Sequence, residues 1–186
     1  MRRCKKPLLL FASPHPDGFT ARLTAQVLHG LSISSDSVDT IRLYETRVKP
    51  CIDCKVCRRS PCPFNTDDMG SILRKISMAD LLICATPVYF NSVPAPFKSV
   101  IDRSQQLYTQ KILLHRTVFS ERKRGILLTT AGSSDPVVTR GMNALFQQFF
   151  QCAGADFIGH ISVTDTDGSP DFTVDTAQIE AIRQRL

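Results

Sequence analysis

The sequence predicts an α/β fold: a doubly wound sheet of five parallel strands, with helices on both faces in three layers. Compact apolar runs alternate with stretches of helical periodicity along the chain, without a repeat, a long linker or a low-complexity tract. The 186 residues, 42% of them hydrophobic, can bury one good core but are too few for two ordinary domains. We therefore expect one domain over residues 1–186.

The first elements are a strand, a turn-rich loop, a helix and a second strand. Residues 6–12 are a compact apolar run that ends at the loop 13–20, which is rich in proline and also carries glycine and hydroxyl groups. Residues 21–31 repeat apolar side chains at helical spacing. Residues 38–43 alternate apolar and polar side chains, as a half-buried strand does.

An irregular, cysteine-rich loop over residues 44–65 precedes the second helix, predicted over residues 67–77. Thr66 can cap this helix, and Asp67 and Asp68 suit its positive end. Two adjacent carboxylates could instead indicate acid–base catalysis. The capping role is favoured, because neighbouring helical residues point in different directions.

The middle of the chain supplies two more strands and one helix. Residues 81–85 are continuously apolar, which is typical of a central strand covered on both faces. A helix is predicted over residues 94–108, and the fourth strand over residues 125–130.

The last part of the chain completes the alternation. We predict a helix over residues 136–152, the fifth strand over residues 156–163 and a closing helix over residues 174–186. Strands that alternate with helices in this way pair in parallel, since each helix carries the chain back across the sheet.

The net charge of +6 does not indicate a nucleic-acid partner, because the basic residues are scattered and aromatic residues do not interleave with them. A solvated basic surface is the default interpretation. A sharper hypothesis is that Lys55, Arg58 and Arg59 in the cysteine-rich loop attract an anionic cofactor or an acidic redox partner.

The sequence also predicts a cytoplasmic protein without a membrane span. No apolar run approaches the roughly 18 residues that a transmembrane helix needs. The basic start leads into an apolar stretch that ends before Pro14, too short for a signal peptide. An odd count of 7 cysteines argues against a secreted disulfide framework and fits a compartment that keeps thiols reduced.

Four of the cysteines are crowded into one short stretch. Cys51, Cys54 and Cys57 follow the spacing C-x2-C-x2-C, and Cys62 comes four residues later with a proline behind it. This resembles the ferredoxin-type run for a [4Fe–4S] cluster, with one residue added before the last ligand. Zinc is the weaker metal, because its knuckles usually separate two ligand pairs by a longer spacer. Free thiols that bind no metal are the alternative.

Three loops leave strands at the carboxyl edge of the predicted sheet, where open parallel sheets bind ligands. The loop 13–20 offers hydroxyls and a helix amino end to a phosphate, without the glycine pattern of a dinucleotide fold or the lysine of a P-loop. This favours a mononucleotide. Residues 86–91 can lie along a flat heteroaromatic ring, and residues 130–134 can close its other side. Each loop taken alone is also compatible with an ordinary strand-to-helix turn.

These motifs, taken in order, resemble those of a known family. The residues concerned are 13–20, the cysteine loop running into 67–69, then 79–80, 86–90, Lys98 and 101–103. Together they resemble the flavodoxin-like NAD(P)H-dependent FMN reductases, and the compact cysteine run resembles the iron–sulfur flavoprotein branch of that family. The resemblance implies a flavodoxin-like fold, FMN as cofactor, NAD(P)H as co-substrate and a homodimer or homotetramer with the flavin near a subunit boundary.

The resemblance also implies where FMN binds: the phosphate in the first loop and the ring along the other two. The candidate cofactor-binding residues are Ser13, His15, Asp17, Gly18, Phe19, Thr20, Thr86, Pro87, Val88, Tyr89, Phe90, Asn91, Thr130, Ala131, Gly132 and Ser133. Two positions depart from the family pattern. His15 stands where an arginine is common, and Phe19 where a small polar residue is usual.

The remaining reactive residues give weaker signals. Cys84 and Cys152 lie in apolar surroundings and are expected in the core, while Cys4 gives no signal. Asp102 and Arg103 are expected to form a local ion pair.

The leading hypothesis is an FMN-dependent oxidoreductase that takes hydride from NAD(P)H and passes electrons to a quinone, flavin or protein acceptor. A [4Fe–4S] cluster on Cys51, Cys54, Cys57 and Cys62 would carry electrons singly to the partner. No catalytic side chain is predicted, because the flavin itself performs the hydride chemistry. The alternative is a non-catalytic flavodoxin-like electron carrier or redox sensor.

Overall fold

The five predicted strands form one parallel sheet in the order β2-β1-β3-β4-β5. The computed structural model describes residues 6–116, 118–119, 122–134 and 136–186, so Cys4 lies outside it. The strands are β1 Pro7–Phe11, β2 Asp39–Arg42, β3 Leu81–Pro87, β4 Lys123–Thr130 and β5 Ala155–Val163. This strand order is the flavodoxin-like one, which confirms the predicted doubly wound sheet.

Helices cover both faces of the sheet. They are α1 Phe19–Gly30, α2 Asp68–Met78, α3 Ala95–Arg103, α4 Gln105–Tyr108, α5 Pro136–Cys152 and α6 Thr176–Arg183. Apolar side chains of α1 and α6 form the core on one face, and those of α2, α3 and α5 form the core on the other. None of the helices in the described ranges is long and apolar enough to cross a membrane.

The predicted helix over residues 94–108 is the one that differs most from the structure. It is divided at Ser104 into α3 and α4, and the chain then continues into a π-helical turn over Thr109–Leu113. The Ser104 hydroxyl donates to the carbonyl of Val100 at 2.8 Å, a back-bond of the kind that bends helices.

Burial along the strands follows the sequence pattern. Every residue of β1 is buried, whereas in the edge strand β2 only Ile41 is buried, as its alternation predicts. Cys84 on β3 and Cys152 at the end of α5 are buried, which confirms that both belong to the core. Burial raises the pKa of both thiols, so they remain protonated and unreactive.

The strand order reverses between β1 and β3, which lie side by side in the sheet. A crevice at the carboxyl ends of two such strands is where this class of fold binds ligands. β4 pairs with β3 on its other side, so the loops after β1, β3 and β4 leave neighbouring strands at one edge.

Candidate functional site

The loop after β1 leads into α1, whose N-terminus has no side-chain cap. The Ser13 hydroxyl accepts from the N–H of His15 at 3.1 Å and donates to the carbonyl of His15 at 3.3 Å, which fixes the turn. Helix α1 begins at Phe19 without a side-chain cap and without an acidic residue in its first turn. Its first N–H groups and positive dipole end are therefore available to an anion.

The loop after β3 is a tight turn that presents aromatic rings. Tyr89 and Ser92 pair as an antiparallel bridge around Phe90 and Asn91, which both adopt left-handed backbone conformations with φ of 50° and 58°. Two successive positive φ values are typical of a type I′ turn. The Phe90 ring is fully exposed, and Tyr89 is about half exposed.

Direct hydrogen bonds join the three predicted loops. The hydroxyls of Thr20 and Thr130, both buried, share a hydrogen bond of 2.8 Å. The N–H of Val88 donates to the carbonyl of Thr130, also at 2.8 Å. The end of β4 thus holds the loop after β1 on one side and the loop after β3 on the other.

The predicted cofactor-binding residues divide into buried and accessible side chains. The side chains of Thr20, Thr86 and Thr130 are buried and hydrogen-bonded within the protein, the Thr86 hydroxyl to the carbonyl of Pro87 at 2.8 Å. The exposed side chains at this edge are His15, Asp17, Tyr89, Phe90, Asn91 and Ser133. All 16 predicted positions lie in the three loops or at their ends, and their roles toward a cofactor remain predictions.

A fourth loop, after β5, supports the third and was not predicted. The hydroxyl and N–H of Thr166 both donate to the carbonyl of Ala131, at 3.2 and 3.1 Å. Gly132 lies so close to this loop that a Cβ there would overlap the Asp167 carboxylate. The predicted fifth strand, residues 156–163, could have indicated this loop, because the carboxyl ends of parallel strands share an edge.

Phe19 stands where the family that the sequence resembles usually has a small polar residue. Its surroundings explain why an aromatic side chain is accommodated here. Its ring lies 6.4 Å from that of Phe172, and the Arg22 guanidinium lies over both rings at 5.6 and 5.1 Å. Arg22 is held in turn by Asp171 at 3.5 Å. The Phe19 side chain therefore packs against the segment before α6, and its backbone remains at the start of α1.

The two ends of the cysteine loop are fastened to each other by carboxylates. Asp67 accepts from the N–H of Lys49 at 2.9 Å, and Asp68 accepts from the N–H of Arg47 at 2.6 Å. Asp67 also caps α2 by accepting from the N–H of Met69 at 3.0 Å. The cap is therefore Asp67 and not the predicted Thr66, because the helix begins at Asp68, one residue later than predicted. The preference for a helix-end role over acid–base catalysis agrees with these contacts.

Arg103 forms the buried centre of this base. Its side chain is 1% exposed and makes an ion pair of 2.8 Å with Asp67, whose side chain is 9% exposed. It also donates to the carbonyl of Lys49 at 3.1 Å and to the Asn65 side chain at 3.0 Å. Burial by itself raises the pKa of Asp67, but the hydrogen bonds from Lys49, Arg103 and Met69 together hold it below its ordinary value.

The predicted pairing of Asp102 with Arg103 is wrong. Asp102 pairs with Lys98 at 2.6 Å, and Arg103 points inward to Asp67. Residues four apart are neighbours on a helix surface, whereas consecutive residues point in different directions, which explains the observed pairing.

All four cysteines of the loop line one cavity of about 160 Å³. Cys51 and Cys54 are exposed, Cys57 and Cys62 are partly buried, and all four are free. Left-handed backbone conformations at Asp53 and Lys55 turn the chain between them. The other lining residues are Ile52, Asp53, Lys55, Arg58, Phe64, Arg103, Gln105, Gln106, Tyr108, Thr109 and Leu113.

The π-helical turn after α4 contacts Cys57 through two of its side chains. Thr109 Oγ1 lies 3.6 Å from Cys57 Sγ, and the Gln110 side chain donates to the carbonyl of Cys57 at 2.7 Å. Within the described ranges, no three or more histidine, cysteine or acidic side chains are arranged as a metal site. The cavity thus gathers the donor set of a metal–sulfur cluster without setting the sulfurs at coordination geometry.

Comparisons with known proteins agree with this architecture. A family model described as NADPH-dependent FMN reductase matches residues 6–166. An iron–sulfur flavoprotein of Methanocaldococcus jannaschii is 35% identical over 103 residues, which are 55% of this chain and 53% of that protein. One from Methanosarcina thermophila is 36% identical over 96 residues, 51% of this chain and 47% of the relative. The chain spans about half the length of these curated relatives.

Solved structures share the fold at low sequence identity. An NAD(P)H:quinone oxidoreductase from Methanothermobacter marburgensis superposes with a TM-score of 0.67 at 18% identity, covering 98% of this chain and 94% of that one. An FMN-dependent NADH-azoreductase from Bacillus anthracis, solved with FMN, gives 0.63 at 15% identity, covering 96% and 95%. The family match extends over most of the chain, through all five strands and the loops after β1, β3 and β4. The chain therefore belongs to the NADPH-dependent FMN reductases, a family of flavin-dependent oxidoreductases with a flavodoxin-like fold.

Proposed function

We propose that this protein binds FMN, takes hydride from NAD(P)H and passes the electrons to a quinone, flavin or protein acceptor. The observation that carries the proposal is that three loops meet where the strand order reverses. Hydrogen bonds of Thr130 join them, and the first loop leads into a helix whose N-terminus has no side-chain cap. Such an edge is the ligand site of this fold class. Bound FMN supplies the hydride chemistry, and the protein supplies binding, orientation and electrostatics.

The phosphate of FMN is assigned to the loop 13–20. The free N–H groups at the start of α1 suit it, because no carboxylate in the first helical turn competes for that positive end. The flavin ring is assigned to residues 87–91 and 130–133. Tyr89 and Phe90 offer accessible aromatic surface there, and the close approach of Gly132 to Asp167 packs the third loop against the loop after β5.

We further propose that Cys51, Cys54, Cys57 and Cys62 hold a [4Fe–4S] cluster that transfers single electrons to a redox partner. Four unoxidised thiols on one cavity wall provide the required donor set, and the relatives named iron–sulfur flavoproteins support the assignment. Lys55 and Arg58 border the same cavity, so an approaching acidic partner would be attracted to this end of the molecule.

The chain is proposed to act in the cytoplasm as one domain that assembles into a homodimer or homotetramer. The exposed rings of Tyr89 and Phe90 at the flavin edge are apolar surface that a second copy could cover. Sedimentation equilibrium on the FMN-loaded protein tests the assembly, and a monomer at micromolar concentration would contradict it.

One preparation tests both cofactor proposals. Protein purified anaerobically is examined by absorption spectroscopy, with iron and acid-labile sulfide assayed on the same sample, and then mixed with NADH or NADPH and several acceptors. Flavin bands with iron, sulfide and NAD(P)H oxidation are expected. Flavin without iron would reject the cluster and leave the reductase, whereas failure to bind added FMN would reject the flavoenzyme.

The exposure of Cys51 and Cys54 favours one competing function, a non-catalytic electron carrier or redox sensor. Solvent-accessible thiols are the ones that oxidants reach. Rapid mixing with NAD(P)H separates the two functions. Flavin reduction by the nicotinamide supports the reductase, and reduction by a donor protein alone supports the carrier.

A further inference from the structure

Arg103 connects the two ends of the cysteine loop and borders the cavity that the four cysteines line. Before the loop, its guanidinium donates to the carbonyl of Lys49 at 3.1 Å. After the loop, it donates to Asn65 at 3.0 Å and Asp67 at 2.8 Å. A planar guanidinium with several fixed donors is suited to holding several acceptors at once, which a lysine ammonium does less well.

One donor of this guanidinium is left over. Arg103 Nε is buried, and in the part of the chain that the structure describes it is the one buried side-chain nitrogen or oxygen without a hydrogen-bond partner. A buried donor without an acceptor is costly and calls for an explanation. The Arg103 side chain borders the cavity lined by Cys51, Cys54, Cys57 and Cys62, whose sulfurs would become strong acceptors as thiolates or as part of a cluster.

The net charge of Arg103 explains less than this free donor does. Asp67 neutralises it at 2.8 Å, so the pair places little net charge beside the cavity. The other charged groups on the cavity wall are Lys55, Arg58 and Asp53, all exposed, with Lys55 and Asp53 3.8 Å apart. What Arg103 adds is a buried N–H that no acceptor in the described residues satisfies.

We propose that Arg103 is a positioning residue for the cysteine loop and that its Nε–H donates a hydrogen bond to a sulfur of the metal–sulfur cluster, which raises the cluster's reduction potential. This rests on the proposed [4Fe–4S] cluster. A hydrogen bond to sulfur is stronger when the cluster carries the additional electron, and it therefore stabilises the reduced form. The terminal nitrogens hold the loop, and Nε tunes what the loop binds.

The test is a redox titration of the cluster, followed by electron paramagnetic resonance in anaerobic wild-type and variant protein. Arg103→Lys keeps the charge beside Asp67 and removes Nε–H. We expect about a tenfold smaller equilibrium constant for reduction, which is a potential about 59 mV lower for one electron. Arg58→Lys makes the same chemical change on the exposed side of the cavity and is expected to shift the potential far less.

A second control separates the hydrogen bond from the loop geometry. Asn65→Ala removes one acceptor of the clamp and leaves Nε–H in place, so its potential should stay near that of the wild type. If Asn65→Ala shifts the potential as far as Arg103→Lys does, loop geometry accounts for the effect and the donor role is overturned. An unchanged potential in iron-replete Arg103→Lys also overturns it.

A measurement on the wild type covers the case in which Arg103→Lys does not fold or hold iron. Pulsed resonance on the reduced cluster, with 15N-arginine incorporated, should detect a coupled arginine nitrogen that persists in Arg58→Lys. Absence of that coupling overturns the Arg103 proposal alone. Absence of iron and sulfide from the wild type overturns the cluster proposal, and the Arg103 role toward the cluster with it.

Discussion

The proposed flavin edge, formed by the loops after β1, β3 and β4, and the cysteine loop over residues 44–65 lie on the same molecule but are built in opposite ways. At the flavin edge, each loop leaves a buried strand, and buried threonine hydroxyls and backbone groups join the loops. The cysteine loop follows the largely exposed edge strand β2 and is held at its base by carboxylates and Arg103, with Cys51 and Cys54 exposed. A sheet preorganises the first region, whereas the second depends on a few polar contacts.

Removing the negative charge at the base of the cysteine loop should have the strongest effect on stability. Asp67→Asn leaves the Arg103 cation buried without a counter-ion, and we expect a loss of about 3–5 kcal/mol in the free energy of unfolding. Urea denaturation measures it. The matched variant Asp102→Asn breaks the exposed pair with Lys98 and should cost no more than about 0.5 kcal/mol. Equal losses would mean that the buried pair does not hold the base.

Lowering the pH should destabilise the sheet, because His160 on β5 becomes protonated. Its ring is hydrogen-bonded to Thr129 at 2.7 Å and Asn143 at 2.8 Å, and burial lowers its pKa from 6.5 to about 4. Between these two values the unfolded chain binds more protons than the native one, so stability falls as the pH falls from 6.5 toward 4. Over that window the loss from this group is about 3 kcal/mol.

Unfolding curves at several pH values test this expectation. His160→Gln should remove most of the loss between pH 6.5 and 5, where few carboxylates titrate. His29→Gln alters an exposed histidine at the end of α1 and should keep the wild-type profile. If His160→Gln retains that profile as well, His160 is not the group responsible.

The two regions should be separable by ligand. A variant with Cys51, Cys54, Cys57 and Cys62 all changed to Ser is expected to gain the same stabilisation from FMN as the wild type, because none of these residues contributes to the three loops. At FMN concentrations a hundred times the dissociation constant, the gain is about 2.7 kcal/mol. Thermal unfolding with and without FMN measures it. Loss of this gain in the variant would show that the loop contributes to the flavin site.

A weaker effect on stability is expected from the hydrogen bond between the Thr20 and Thr130 hydroxyls. Thr130→Val removes the hydrogen bond to Thr20 and should cost about 1 kcal/mol of stability. Thr20→Val/Thr130→Val removes both hydroxyls and should recover part of this loss, because no buried hydroxyl is left unpaired. A double-mutant cycle in urea gives the coupling. Additive losses would mean that the two hydroxyls do not act as a pair.

The sequence predicted the meeting of the three loops at one edge of the sheet better than the base of the cysteine loop, and the reason is physical. A run such as residues 81–85 carries its own signal, and the edge follows once the strands are known to be parallel. The partner of Arg103 lies 36 residues earlier in the chain, and nothing local distinguishes Asp67 from Asp102 as that partner. The packing of Phe19 against Phe172 was equally hidden, since it joins the two ends of the chain.

The break in the helix over residues 94–108 belongs to the same class of error. Its apolar periodicity continues through Ser104, but the structure has a hydrogen bond from Ser104 to Val100 at the break and contacts of Thr109 and Gln110 with Cys57 beyond it. Periodicity reports which face of an element is apolar. It does not report where a polar group will find its acceptor.

Because the cysteine loop is fixed at both ends, its length can change without moving the points at which it begins and ends. With Lys49 held to Asp67, an added residue between positions 58 and 63, beyond the contacts of Cys57, changes mainly the entropy of closing a short loop, which grows slowly with its length. The additional residue before Cys62 is an insertion of this kind. Loops with other cysteine spacings, grafted between Lys49 and Asp67, should therefore be accepted without disturbing the sheet. One redox loop could then be exchanged for another at this position.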